Sequence, residues 1–246
     1  MAAVTERLPV WRVYRDCLRA WRRDFWRLVA LATMVLLPLI VIEFALYGVA
    51  DISLTTDDSL SLWIVSIPVF VYSIESHHFL SGLIERLEGA ERHGHPTPRL
   101  GPLLRDLPWA RLFWADMLFT LLFVAGLALA IVPGVLVGTY FALVMPLINL
   151  ERQPVLATFR RSIRLVRGNF WRVLVVWVPI WFVTTTVTEA LGEMLEHLGH
   201  SQLVHMVAHL VPEALLLPLV ALPSVIMTFE LVDRDRHRSE LADSRG

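Results

Sequence analysis

Glu75, His77 and His78 lie inside an apolar run of membrane length, where an ionisable side chain is costly and so marks a candidate site. On a helix Glu75 and His78 share a face at i, i+3, with Ser81 and Gly82 one turn further on. A proton relay, metal ligation or a substrate contact is open to such a group. The plainer reading pairs Glu75 with an interfacial Arg and lets the histidines snorkel. Counted from Leu62, Glu75 lies about 20 Å into its run at 1.5 Å per residue, close enough to the far headgroups for either reading.

Glu43 and Glu189 form a second candidate pair, each well inside an apolar run and at similar depth. Facing a shared cavity, two such carboxylates would repel, raise one pKa and make a cation or proton site. Facing the outer interface, they would simply be solvated. A third cluster holds Glu193, Glu196, His197, His200, His205, His209 and Glu213. Its i, i+4 histidines are spaced for zinc, but His205 to His209 lacks the Glu that makes HExxH a hydrolase signature. The polar face of an outer interfacial helix gives the same pattern. With no Gly-rich phosphate loop, no GxSxG elbow and one cysteine, Cys17, the sequence assigns no catalytic residue, no metal and no cofactor.

The elements that would position these groups are membrane spans. The chain of 246 residues is 56% hydrophobic and 18% charged, with mean hydropathy +0.58, too apolar for an ordinary soluble domain. Apolar runs predict six spans: Leu28–Ala50, Leu62–Ile84, Leu112–Val132, Val135–Leu150, Val173 to about Ala190, and Leu210–Val232. Pro133-Gly134 reads as a tight turn between the third and fourth, and Pro146 as a bend in the fourth. The first run is long enough to act as an anchor and not as a cleaved signal. A net charge of -1 gives no general affinity for nucleic acid, so the placement of charge matters more than its sum.

That placement is one-sided. All 22 cations are Arg: seven precede the first span, five lie between the second and third, six between the fourth and fifth, and four follow the sixth. By the positive-inside rule both termini are cytoplasmic. Two of these regions read as basic amphipathic helices at the membrane surface, 10–27 and the helix from Val155 to the turn at Gly168-Asn169. Arg19, Arg22 and Arg23 in the first, and Arg160, Arg161, Arg164 and Arg167 in the second, are the expected contacts to anionic headgroups. Packing of these helices on the protein's own cytoplasmic face is an alternative compatible with the first.

An offset of 145 residues lays Tyr14–Leu28 over Phe159–Val173, matching Arg19/Arg164, Arg22/Arg167, Phe25/Phe170, Trp26/Trp171 and Arg27/Arg172. The hairpins also end alike, in Glu85-Arg86, Glu151-Arg152 and Asp233-Arg234. The expectation is one all-α membrane domain of three parallel modules, about 10–86, 98–152 and 155–234, with a short tail 235–246. Convergent Arg and Trp usage at interfaces is the competing explanation.

Val132-Pro133-Gly134, Pro146, Glu151, Ala157, Arg161-Ser162, Leu165 and Gly168-Asn169-Phe170-Trp171 form a pattern that resembles the YciC-type six-span bacterial inner-membrane family. It is similar also to the membrane domain accompanying some glycerophosphodiester phosphodiesterases. The resemblance implies a multi-pass inner-membrane protein with an envelope or lipid connection, and it carries no catalytic residues. The leading expectation is therefore a non-catalytic protein of envelope or lipid homeostasis. A secondary transporter using Glu43, Glu75 and Glu189, a membrane metal-dependent enzyme, and a scaffold for a soluble partner or a second copy of the chain are the alternatives.

Overall fold

The computed structural model describes residues 8–53, 79–92, 107–197 and 202–244, with positions 94, 101 and 105. Among them every regular element is an α-helix: α1 (Val10–Arg23), α2 (Phe25–Ser53), α3 (79–92), α4 (Trp109–Leu129), α5 (Ile131–Phe141), α6 (Val144–Glu151), α7 (Val155–Arg167), α8 (Phe170–Glu196) and α9 (Gln202–Asp243).

Proline sets three of the starts. Pro9, Pro108 and Pro154 precede α1, α4 and α7, and their carbonyls accept the N–H groups of Val13, Leu112 and Thr158 at 3.0–3.1 Å. Proline's fixed φ suits a helix entrance, and it has no N–H to be left orphaned there. The α1–α2 and α7–α8 joints are single-residue and two-residue breaks, at Asp24 and at Gly168-Asn169. The first break falls earlier than the expected helix end near residue 27.

Among the described residues, four helical stretches are long and apolar enough to cross a membrane: Trp109–Leu129, Ile131–Glu151, Phe170–Leu195 and Leu210–Asp243. In α2 the described apolar part is Phe25–Pro38, and most of the expected second span lies outside the described residues. The bundle is built around α9, of whose apolar window 78% is buried, against 17% for α8. It packs on α8, α2 and α1.

Two turns differ from expectation. The third and fourth spans are joined at Ala130, in extended conformation, and not at Pro133-Gly134. Pro133 falls in the first turn of α5, where a missing N–H costs nothing. Gly134 serves packing: a Cβ there would stand 2.3 Å from Leu127 Cδ2, 2.6 Å from its Cγ and 3.1 Å from its backbone N. Gly134→Ala is expected to lose up to about 2 kcal/mol, an overpacking cost of roughly 1–3 offset in part by Ala's helix preference of about 1. Thermal unfolding in detergent checks this, and Leu127→Ala in the same chain should relieve most of the overlap. Likewise the fourth span breaks at Ala142-Leu143, so that Pro146 enters in the first turn of α6.

The described residues of the outer polar segment 191–209 belong to the two flanking helices. Glu193 and Glu196 extend α8, and His205 and His209 belong to α9.

Proline also determines how α1 is seated. Pro179 inside α8 cannot donate to the carbonyl of Val175, one helical turn before it. The Tyr14 hydroxyl of α1 donates to that carbonyl at 2.6 Å. Trp21 Nε1 donates to the Leu215 carbonyl of α9 at 3.3 Å. Arg172 Nη1 donates to the Leu8 carbonyl at 3.0 Å, while the Leu8 N–H donates to Asn169 Oδ1 at 3.3 Å. So α1 is latched to the bundle's flank as well as carrying basic residues outward. Tyr14→Phe should cost about 1 kcal/mol, the net worth of one hydrogen bond. In a Pro179→Ala background, where the backbone N–H returns, the cost should largely vanish. Equal losses in both backgrounds, by denaturant unfolding, would refute this coupling.

Candidate membrane-surface site

The two basic helices bury one side and expose the other in the same order. In α1 the inner residues are Val13, Cys17 and Ala20; in α7 they are Thr158, Phe159, Ser162, Leu165 and Val166. Ser162 donates to the Tyr140 carbonyl at 2.7 Å, fixing α7 against α5. Cys17 is 3% exposed, and burial pushes its thiol well above the usual range, with Asp16 and Glu88 adding to the shift. It packs as a small apolar residue.

Outward, α1 and the start of α2 present Trp11, Arg15, Leu18, Arg19, Arg22 and Trp26. The α7–α8 joint presents Leu156, Arg160, Ile163, Arg164, Arg167 and Trp171. Just past each break a Phe–Trp pair stands edge to face, Phe25–Trp26 at 5.1 Å and 75° and Phe170–Trp171 at 5.4 Å and 80°. The second helix of each joint begins with the same bond, Leu28 N–H to Asp24 O at 2.9 Å and Val173 N–H to Asn169 O at 3.0 Å.

The seven headgroup candidates divide into two kinds. Arg22, Arg160, Arg164 and Arg167 are exposed and make no ion pair among the described residues; Arg19 is exposed and pairs with Asp16 at 3.0 Å on its own helix. Arg23 and Arg161 are committed to the protein. Arg23 hydrogen-bonds Asp24 at 2.8 Å and Glu88 at 2.9 Å and also pairs with Glu91. Burial works against its charge, but the bond to Asp24 and the fields of Glu88, Asp24 and Glu91 outweigh it and raise its pKa. Arg161, next to exposed Arg160, points inward to Glu151 at 3.2 Å and Asp235 at 2.6 Å.

Asp24, Glu88 and Glu91 bring carboxylate oxygens within 4.8 Å of one another. The Arg23 guanidinium already lies among them and supplies the positive charge that a metal would bring. A surface groove of about 640 Å³ opens at this joint, lined by Trp21 to Arg27.

Of the intramembrane candidates, Glu75, His77 and His78 lie outside the described residues, and Glu43 is on α2 with its side chain outside the description. Glu189 is exposed on α8. The same limits apply to His205 and His209 on α9, whereas His197 is exposed at the end of α8.

Two buried acids were not singled out by the sequence reading. Asp116, 1% exposed, sits within α4, and Thr120, buried one turn on, shares its face. An acidic residue inside the third apolar run was the signal available. Glu85, 5% exposed midway along α3, is the other. Burial raises its pKa from 4.5 to about 7 against the smaller opposing field of Arg86.

No family model, curated protein or solved structure matches the chain.

Proposed function

We propose that the protein is a six-span bacterial inner-membrane protein of the YciC type, with both termini cytoplasmic. Its role is non-catalytic, in envelope or lipid homeostasis, and it works by engaging anionic lipid at its basic joints. The observation that carries this reading is the division of the arginines. Arg23 and Arg161 are taken up by carboxylates, whereas Arg22, Arg160, Arg164 and Arg167 face outward without an ion pair among the described residues. In a chain whose described residues include four membrane-length apolar helices, anionic phospholipid is the partner such groups meet. The three proline-led entrances, the alike Asp24 and Asn169 joints, and the matched Phe–Trp pairs support the parallel-module organisation.

The test is the phospholipid composition of a strain lacking the protein, restored by the natural chain or by one with the exposed arginines replaced by Gln. Unaltered composition on loss of the protein rejects the role. A reporter fused after Asp58 that behaves as cytoplasmic rejects the topology. Buried Asp116 favours transport as a second reading, in which the α4 carboxylate serves as a coupling group. Substrate flux in proteoliposomes unchanged by Asp116→Asn dismisses that alternative.

A further inference from the structure

We propose that the outward faces of α1 and α7 are two copies of one site for the phosphate of an anionic phospholipid. One copy is built from Arg19, Arg22 and Trp26, the other from Arg164, Arg167 and Trp171. The proposal rests on the membrane reading above and names the ligand of that surface.

The argument begins with exposed apolar residues that do nothing for the bundle. Trp11, Leu18 and Trp26 are 79%, 51% and 79% exposed; the residues 145 positions later, Leu156, Ile163 and Trp171, are 65%, 37% and 73% exposed. Packing the helices onto the protein needs only the opposite face, which is buried in both. Large apolar side chains kept outward at matching positions in both copies mark a surface that meets something else.

The charge between them says what. Each stripe interleaves the apolar residues with guanidinium groups, which bind phosphate oxygens through paired N–H donors. Tryptophan settles at the headgroup level, with its ring in the acyl boundary and its N–H in the polar layer. An acidic soluble protein would use the charges but leave the exposed Leu, Ile and Trp residues beside a bilayer unexplained.

The copies are not equal. In the first, the Asp16 carboxylate pairs with the site's Arg19 at 3.0 Å and sets a negative charge beside the ligand, whereas the charge of Asp24 is answered by Arg23 at 2.8 Å. In the second, Arg161 stands 145 residues after Asp16 and turns inward to Glu151 and Asp235, so Arg164 and Arg167 make no ion pair among the described residues. One charge near a membrane surface changes affinity about fivefold, so the α7–α8 copy should bind the tighter of two lipids. The groove at the first joint gives that copy its concavity.

The experiment is native mass spectrometry of the full chain, purified with phosphatidylglycerol or with phosphatidylcholine and released from detergent. Two phosphatidylglycerols should be retained and phosphatidylcholine should not. R164Q/R167Q should remove the more tightly held lipid, R19Q/R22Q the weaker one, and the fourfold variant both. R164K/R167K, which keeps charge but loses the planar fork, should retain the lipid with affinity lowered several-fold. Unfolding midpoints equal to that of the natural chain show that the variants are folded. Retention unchanged in the fourfold variant, or equal retention of phosphatidylcholine, overturns the proposal; either result would also admit an acidic protein as the occupant. A strain with normal lipid composition, alongside arginine-dependent retention, would sink only the homeostasis role.

Discussion

Arg161→Met is expected to be among the most damaging single substitutions in the chain, although Arg160→Met beside it should be nearly silent. Arg161 is the only guanidinium among the described residues that joins α7 to both α6 and α9, through Glu151 and Asp235. Its side chain is 16% exposed and that of Glu151 13%, whereas that of Asp235 is 44% exposed. Burial alone would lower the Arg161 pKa, yet the hydrogen bond to Asp235 and the field of Glu151 raise it, so the group stays charged. Removing it strands the Glu151 carboxylate in a poorly solvated place. Stranding one member of a buried pair costs about 3–5 kcal/mol, and the residual exposure here points to the lower end. Asp235→Asn should cost under about 1 kcal/mol, because that carboxylate is largely in water. Glu151→Gln should fall between, since Arg161 keeps a second partner. Adding Glu151→Gln to Arg161→Met should restore part of the loss, because it removes the stranded charge. Denaturant unfolding of the natural chain and the five variants in detergent decides it. Equal losses for Asp235→Asn and Arg161→Met would show that the clamp contributes nothing beyond a surface ion pair.

The contrast between Arg160 and Arg161 shows where the sequence could be read and where it could not. Composition and apolar runs announce a helical membrane protein, because hydropathy over twenty residues integrates many weak signals. The breaks at Asp24 and at Gly168-Asn169 divide basic from apolar sequence, and the second was legible as a turn. Whether an arginine faces out or in is a finer matter. Arg160, Ile163, Arg164 and Arg167 fall on one helical stripe and Arg161 falls off it, so periodicity separates them when the stripe is traced. Its partners do not follow from periodicity, since Asp235 lies 74 residues away. The Tyr14 bond to Val175 spans 161 residues and depends on a proline that frees a carbonyl, which no local pattern reports. Pro133-Gly134 misled for a related reason. The pair carries strong turn chemistry, but a close approach to Leu127 demands the glycine, and a first helical turn tolerates the proline. Asp116 lies near the start of the third apolar run, where the sequence does not distinguish a carboxylate at an interface from one buried in the bundle; burial within α4 does.

Glu85 makes the protein's stability depend on pH in a direction opposite to that of most carboxylates. It lies one residue beyond the second expected span, beside Gly89 and Phe229 where α3 meets α9. The charged groups around this junction are Arg86 next in the chain, Glu88 held by Arg23, and Arg92, which stacks on the Phe229 ring at 4.6 Å and reaches Asp233 at 3.9 Å. Arg86 alone opposes the burial that raises the Glu85 pKa from 4.5 to about 7. Between those values the folded chain holds a proton that the unfolded chain has released. Stability therefore falls as pH rises through that window and levels off above it. The loss is on the order of 3 kcal/mol, at roughly 1.4 kcal/mol per pKa unit. Glu85→Gln keeps the shape and the neutral form at every pH. It should match the natural chain at the acid end of the window, exceed it by that amount above pH 7, and flatten this part of the pH profile. Glu88 titrates in both proteins, its pKa also raised by burial against Arg23, so the difference between the two profiles isolates Glu85. Unfolding midpoints in detergent across the window provide the measurement. A Gln variant less stable than the natural chain at neutral pH would mean that the ionised carboxylate finds better solvation than its burial implies.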